Sequence, residues 1–111
     1  MHSIYDCLIV GGGPAGLVAA VYLARFRRHT VLVDARSSRA SLIPMSHNLA
    51  GFPDGISGRD LLKRQRAHAL RYGAEMLIGA VTRLEEMADG GIFAAAVLRS
   101  VGKRGVQRVK R

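Results

Sequence analysis

One stretch near the start of the chain decides its fold: Cys7-Leu8-Ile9-Val10-Gly11-Gly12-Gly13-Pro14-Ala15-Gly16-Leu17-Val18-Ala19-Ala20. Its apolar beginning predicts a strand, its glycines predict a tight turn, and the apolar residues after the proline predict a helix. Gly11, Gly13 and Gly16 stand in G-x-G-x-x-G spacing, which is typical of a turn that holds a pyrophosphate at a helix N-terminus. The first glycine permits the turn, the second lets phosphates approach the backbone, and the third lets the helix pack closely on the strand.

This glycine spacing alone is weak evidence, because three glycines often fall at it by chance. An acid strengthens the interpretation. Asp34 ends a second strand-like run, Thr30-Val31-Leu32-Val33-Asp34, where its carboxylate can accept hydrogen bonds from an adenosine ribose. The strand, helix and second strand then predict a parallel, right-handed unit that binds a dinucleotide. These residues do not choose between FAD and NAD.

The elements of this unit have the expected periodicity. Residues 4–10 predict one strand, and residues 14–25 predict a helix. Apolar side chains recur in this helix at spacings of three and four, which places them on one face against a sheet; they are Leu17, Val18, Val21 and Ala24. The sequence therefore predicts an α/β fold with a Rossmann-like parallel sheet.

A long irregular segment separates this unit from a second helix. Residues 35–53 lack periodicity, and a loop of that length in a small domain is more often functional than accidental. Ser57-Gly58-Arg59-Asp60 has the form of a capping box, so we expect a helix from about Ser57 to Gly73. A third strand is expected from Met76, with a turn at Asp89-Gly90-Gly91.

Length and composition limit the classes of function. With 111 residues, 49% hydrophobic and 23% charged, the chain is expected to form one globular domain at most. We find no apolar run long enough to cross a bilayer and no signal peptide, so the expected location is the cytoplasm. A single cysteine, Cys7, excludes an internal disulfide and is expected to be buried. The four histidines lie far apart, and we assign no catalytic or metal-binding residue.

The net charge of +9 is concentrated at the end of the chain. Residues 99–111 contain six Lys and Arg and no acid, whereas residues 1–98 contain eleven Lys and Arg against eight Asp and Glu. Nonspecific, salt-sensitive attachment to nucleic acid or anionic lipid is one hypothesis for this end, but no specific nucleic-acid partner is expected. The second helix also carries basic residues, which we expect on a solvated face: Lys63, Arg64, Arg66 and Arg71.

Several segments together resemble the N-terminal part of thioredoxin-reductase-like flavoproteins. They are Ile9-Val10-Gly11-Gly12-Gly13-Pro14-Ala15-Gly16, then Val31-Leu32-Val33-Asp34, then His47-Asn48-Leu49-Ala50-Gly51-Phe52-Pro53-Asp54-Gly55-Ile56-Ser57-Gly58, and Tyr72-Gly73-Ala74-Glu75. The third segment is the most specific. The resemblance covers about residues 4–93 and implies FAD as the cofactor.

The resemblance also implies which residues bind FAD. It places the pyrophosphate at the turn and helix start formed by Gly11, Gly13, Pro14, Ala15 and Gly16. It places the adenosine ribose at Asp34 and Ala35, the flavin ring near Asn48, and the adenine at the backbone around Val81. A thioredoxin-like acceptor is implied by the resemblance alone, and NADPH only for a full-length relative.

The chain departs from this pattern in several ways. It has no second glycine-rich motif and no C-x-x-C pair, and it lacks the glycine pair expected within Ser38 to Pro44. We therefore expect residues 1–93 to be the N-terminal part of an FAD-binding domain that is incomplete and not active alone. Residues 94–111 are expected to be a basic, poorly ordered tail, and we hypothesise that a truncated or frame-shifted gene produced them. The alternative is a non-enzymatic nucleotide-binding module or a truncated remnant.

Overall fold

The computed structural model describes residues 4–88, 91–99, 102 and 104–110. These residues form six strands, two α-helices and one short 3-10 helix. In chain order they are β1 (Ile4–Tyr5), β2 (Cys7–Val10), α1 (Pro14–Arg25), β3 (Thr30–Asp34), the 3-10 helix (Arg39–Leu42), α2 (Gly58–Arg71), β4 (Glu75–Glu86), β5 (Ile92–Arg99) and β6 (Arg104–Lys110). Neither α-helix is long and apolar enough to cross a membrane.

The strands form one mixed sheet in the order β1-β6-β5-β4-β3-β2. β2, β3 and β4 are parallel, as are β1 and β6, whereas β4, β5 and β6 pair in an antiparallel meander. Helix α1 lies between β2 and β3 in the chain, and α2 lies between β3 and β4. Parallel neighbours require crossover connections of this kind. The Rossmann-like α/β fold predicted from the sequence is thus confirmed as a partial one, with an antiparallel extension.

The first strand-helix-strand unit agrees with the sequence prediction. α1 begins at Pro14 and β3 spans Thr30–Asp34, in parallel register with β2. The buried face of α1 differs at one position, because Val18 is exposed and Ala20 takes its place in the core. The core cluster joins α1, β3, α2 and the residue that precedes β4; its members are Leu17, Ala20, Val21, Ala24, Leu32, Leu62, Ala69 and Ala74.

α2 begins as its capping box predicts. The Ser57 hydroxyl accepts a hydrogen bond from the Asp60 amide at 3.1 Å. The helix then ends at Arg71, and Gly73 follows with a φ of 97°, in the left-handed region that favours glycine. Gly58 lies so close to the 3-10 helix that an added Cβ would overlap the carbonyl oxygen of Ala40. This contact places the 3-10 helix, which the sequence did not predict, against the start of α2.

The expected single strand over residues 4–10 is two strands. The backbone bends at Asp6, so that β1 pairs with β6 while β2 pairs with β3, at the opposite edge of the sheet. The Asp6 carboxylate accepts a hydrogen bond from the His29 amide at 2.8 Å and an ion-paired hydrogen bond from Lys110 Nζ at 2.8 Å. Asp6 thereby joins both edges of the curved sheet.

Strands occupy much of the segment that was expected to be a poorly ordered tail. β5 and β6 pair from Ile92↔Lys110 to Leu98↔Arg104, and Val97 and Val109 are buried. The reason is the antiparallel pairing itself, since the basic residues Arg104, Arg108 and Lys110 of β6 point to solvent while Val109 is buried. The expected boundary between residues 93 and 94 falls inside β5. Two residues of the expected turn, Asp89 and Gly90, lie outside the described residues.

The first prediction concerns the Asp6 carboxylate. The hydrogen bond from Lys110, followed by that from the His29 amide, lowers the pKa of Asp6. A lowered pKa means that folding favours the charged carboxylate, so its stabilisation is present above the ordinary pKa of about 4 and is lost as the pH falls through the lowered value. We expect Asp6→Asn to unfold at lower urea concentration than the parent at pH 7, and the difference to shrink towards pH 3.

The matched control is Asp54→Asn, which removes an exposed carboxylate in a turn. Urea unfolding of the three proteins, followed by circular dichroism at pH 7 and pH 3, checks the prediction. Equal midpoints for Asp6→Asn and the parent at pH 7 would show that the carboxylate does not hold the sheet edges together.

A candidate nucleotide site at the carboxyl ends of the parallel strands

The glycine turn continues the ladder between β2 and β3. The Gly11 amide donates to the Val33 carbonyl at 2.9 Å, and Gly11 then turns with a φ of 108°, which a residue with a side chain rarely adopts. Gly13 caps α1 with its backbone only, and Pro14 is the first helical residue. The first intrahelical bond runs from the Leu17 amide to the Gly13 carbonyl at 3.0 Å.

The N-terminus of α1 is suited to an anion. The amides of Ala15 and Gly16 precede the first intrahelical bond, and no acidic side chain lies in the first turn. Amides without an intrahelical partner and the positive end of the helix dipole together favour phosphate groups. The pyrophosphate role predicted from the glycine spacing is therefore compatible with the backbone geometry.

Two glycines of this turn leave no room for a side chain. A Cβ on Gly16 would overlap the Gly11 carbonyl oxygen and lie 3.2 Å from Ile9 Cγ2, which agrees with the close helix packing predicted for it. A Cβ on Gly12 would overlap the Asp34 carboxyl group, with Asp34 Oδ1 at 2.6 Å. Gly12 is not one of the three spaced glycines, and sequence reasoning missed it. The run of three successive glycines was the available signal.

Asp34 lies at the carboxyl end of β3 and is only 6% exposed. Its Oδ1 accepts a hydrogen bond from the Arg36 amide at 2.7 Å, which orients the carboxylate beside the glycine turn. The other oxygen remains as an acceptor for a hydroxyl group. Asp34 thus lies at the carboxyl end of β3 beside the glycine turn, and its contact with a ribose stays a prediction.

The turn and the acid line one of two neighbouring cavities that share Ala35, and we call the pair the nucleotide groove. Its first part encloses about 270 Å³ and is lined by Gly11, Gly12, Gly13, Asp34, Ala35, Ser37 and Ser38. Its second part, of about 420 Å³, meets the first at Ala35 and continues along β4 and β5; the other residues that line it are Ile78, Gly79, Ala80, Leu98, Arg99 and Gly102. The groove therefore runs across the carboxyl ends of parallel strands, where open α/β sheets bind ligands.

Two residues assigned from the resemblance do not line the nucleotide groove. Asn48 is exposed, and its Oδ1 accepts a hydrogen bond from the Ser46 hydroxyl at 3.1 Å. Val81 is half-buried in β4, opposite Val97 of β5. The groove instead meets β4 a few residues earlier, at Ile78 to Ala80. The roles of Asn48 and Val81 towards a cofactor stay predictions.

A third cavity, of about 300 Å³, adjoins the nucleotide groove at Gly12, Asp34 and Ser38. Ser41, Leu62 and three arginines complete its lining; the arginines are Arg36, Arg59 and Arg66. The prediction that Arg66 lies on a solvated face is wrong, because its Nε is buried. Helical periodicity could not show this, since the burial comes from the loop that packs beside α2.

Other candidate chemistry is limited in the part of the chain that the structure describes. It contains no group of three or more His, Cys, Asp and Glu side chains that could hold a metal ion. Cys7 is half-buried rather than fully buried, and burial, with a smaller contribution from Asp6, raises the pKa of its thiol. A raised pKa disfavours the thiolate, which is the reactive form.

A family model described as pyridine nucleotide-disulphide oxidoreductase matches residues 5–105. The chain belongs to this family. The resemblance in the sequence covers about residues 4–93, whereas the match extends further and includes β5 and the start of β6.

Thioredoxin reductases are among the similar proteins. The enzyme of Aquifex aeolicus is 39% identical over 89 residues, covering 78% of this chain and 28% of the relative. The thioredoxin reductase of Peptoclostridium acidaminophilum is 30% identical over 95 residues, covering 83% of this chain and 29% of the relative. The structure of a thioredoxin reductase from Gloeobacter violaceus superposes with a TM-score of 0.81 at 27% identity, covering 95% of this chain and 32% of that one. The chain thus spans less than a third of the length of these relatives.

The second prediction tests the contact between Gly12 and Asp34. Gly12→Ala should lower the free energy of unfolding by about 1–3 kcal/mol, because the new methyl group has to displace the carboxyl group from a packed position. Gly105→Ala is the matched control, since the nearest atom to its Cβ would be 4.0 Å away. Denaturant unfolding measures both variants. If the two variants were equally stable, the Gly12 turn would not lie against Asp34.

Proposed function

We propose that this chain is the FAD-binding part of a thioredoxin-reductase-like oxidoreductase. The observation that carries the proposal is the contact between the glycine turn and Asp34 at the carboxyl ends of β2 and β3, with the N-terminus of α1 beside it. Family membership supports the class of reaction, and the groove beside the glycine turn and Asp34 supports the binding of an adenine dinucleotide.

The residues of the nucleotide groove suit one half of FAD. The amides of Ala15 and Gly16 would bind the pyrophosphate, and the free oxygen of Asp34 would accept from a ribose hydroxyl. The absence of a side chain at Gly12 lets the turn lie against the Asp34 carboxylate, so that both line the same groove. The adenine would then extend past Ala35 towards β4.

The flavin half has fewer supports in the described residues. The resemblance assigns Asn48 to the flavin ring, and the 3-10 helix at Arg39–Leu42 occupies the segment in which a glycine pair was expected. When bound, the flavin ring supplies the hydride acceptor of the reaction. We assign no catalytic residue in this chain, whose contribution in our proposal is to bind and orient the cofactor.

The activity that we propose for the whole protein rests on family membership. We propose NADPH as the electron donor of the whole protein, a thioredoxin-like disulfide as the acceptor, and the cytoplasm as the location. Hydride transfer requires a nicotinamide held against the flavin, and the proposed role of these residues does not include that contact. We therefore expect the 111-residue chain alone to bind FAD without NADPH-dependent disulfide reduction.

The third prediction is that the purified chain retains FAD through Asp34. After incubation with FAD and desalting, we expect a flavin absorbance spectrum. Asp34→Asn should weaken FAD binding about tenfold, since a hydrogen bond to a charged acceptor contributes about 1.5–3 kcal/mol and a factor of ten is about 1.4 kcal/mol. The asparagine can still accept from the Arg36 amide, so the loss reports on the ligand.

Asp54→Asn is the control, because it removes the same charge from an exposed turn. Fluorescence titration with FAD gives the affinities of the three proteins. A chain that binds adenosine diphosphate as tightly as FAD would favour the non-enzymatic nucleotide-binding module, and one that binds neither would contradict the proposal. NADPH-dependent disulfide reduction by this chain alone would contradict its restriction to cofactor binding.

A further inference from the structure

The cavity lined by Arg36, Arg59 and Arg66 has more positively charged than negatively charged side chains in its lining. We call it the arginine cavity. Asp34 is the one acid in its lining, and the Asp34 carboxylate already accepts from the backbone amide of Arg36. Among the described residues, none of the three guanidinium groups lies within ion-pair distance of a carboxylate. The lining therefore carries three positive charges and one negative charge.

Arg66 is the half-buried arginine of this lining, whereas Arg36 and Arg59 are exposed. The Arg66 Nε is buried and has no hydrogen-bond partner among the described residues. A buried N–H without a partner is destabilising, and more so when the group is charged, so such a group normally has an acceptor in the working protein. Arg59, about two turns earlier on α2, lines the same cavity. Arg36, in the loop after β3, also lines it.

The remaining lining residues suit an oxyanion. The Ser38 hydroxyl oxygen accepts from the Ala40 amide, which leaves its own proton for an anion, whereas the Ser41 hydroxyl already donates to the Ser38 carbonyl at 2.7 Å. Leu62 is the apolar residue of the lining. The volume of about 300 Å³ far exceeds the roughly 30 Å³ of one water molecule, so the cavity has room for a tetrahedral anion with its waters.

We propose that the arginine cavity binds a phosphate-class anion through Arg66 and Arg59. Guanidinium groups match phosphate oxygens with paired hydrogen bonds, which is why arginine rather than lysine favours this ligand. The anion is either free inorganic phosphate or a phosphate carried on the ribose of an adenine nucleotide, since the cavity meets the nucleotide groove at Asp34. The proposal does not depend on FAD as the ligand of that groove.

The experiment follows the Arg66 side chain directly. In a ¹H–¹⁵N spectrum of the whole chain, the signal of the buried Arg66 Nε–H is identified by its loss in Arg66→Gln. We expect this signal to shift saturably when inorganic phosphate is added at constant ionic strength, and not when chloride is added. Arg59→Gln should weaken phosphate binding at least tenfold, whereas Lys63→Gln, which removes an exposed charge from the same helix, should leave it unchanged.

A second titration identifies the source of the phosphate. If 2′,5′-ADP binds more tightly than 5′-ADP, and Arg66→Gln removes the difference, the ligand is a ribose phosphate. If phosphate binds and the two nucleotides do not differ, it is a free anion. Both outcomes support the site.

Two outcomes overturn the proposal. One is an Arg66 signal that does not move with phosphate or with either nucleotide. The other is a loss of FAD affinity in Arg66→Gln as large as the loss of phosphate affinity, which would assign the arginines to the FAD pyrophosphate. Because the phosphate titration contains no flavin, its failure would leave the proposal of FAD binding intact. Likewise, a chain that fails to retain FAD can still show the phosphate shift.

Discussion

The parallel pairing of β2 with β3 is the constraint on which the candidate site depends. Its register, Val10 opposite Val33, places the glycine turn and Asp34 at the same end of neighbouring strands. The Gly11 amide extends the ladder by one hydrogen bond, so the turn lies over the end of β3. Only a residue without a side chain fits there at position 12, and only a glycine at position 16 lets α1 lie close behind. One backbone ladder therefore sets the distance between the helix N-terminus and the acid.

The two halves of the sheet contribute differently to stability. The buried cluster is formed by α1, β3 and α2, next to the parallel strands. The antiparallel strands expose large apolar side chains such as Leu84, Leu98 and Val106, and they depend more on backbone pairing. Asp6 connects these halves, because its carboxylate contacts the amide before β3 and the ammonium group at the end of β6. The bend at Asp6 thus connects the two edge strands of the sheet, β1 and β2.

Sequence patterns predicted the elements whose causes are local. α1, β3 and α2 follow from periodicity, from Pro14 at a helix start and from the Ser57 capping box, all of which act within a few residues. The break at Asp6 and the strand β6 were not predicted, because they depend on a contact between Asp6 and Lys110, 104 residues apart. Basic residues in β6 looked like a disordered tail, since their pairing partner in β5 is not visible as a sequence motif.

The buried Nε of Arg66 was likewise not predicted from the sequence, because it depends on a loop that packs beside α2. The position of Arg66 also concerns Asp34, which lines the same cavity. A carboxylate as buried as Asp34 is costly unless nearby groups offset its charge. Asp34 lies beside the glycine turn that leads into α1, and it also lines the arginine cavity. An anion in the arginine cavity is attracted by Arg59 and Arg66 and repelled by Asp34, so in our proposal it lies nearer to the two arginines than to the acid. This position separates the anion from the ribose contact, so the two can be occupied together.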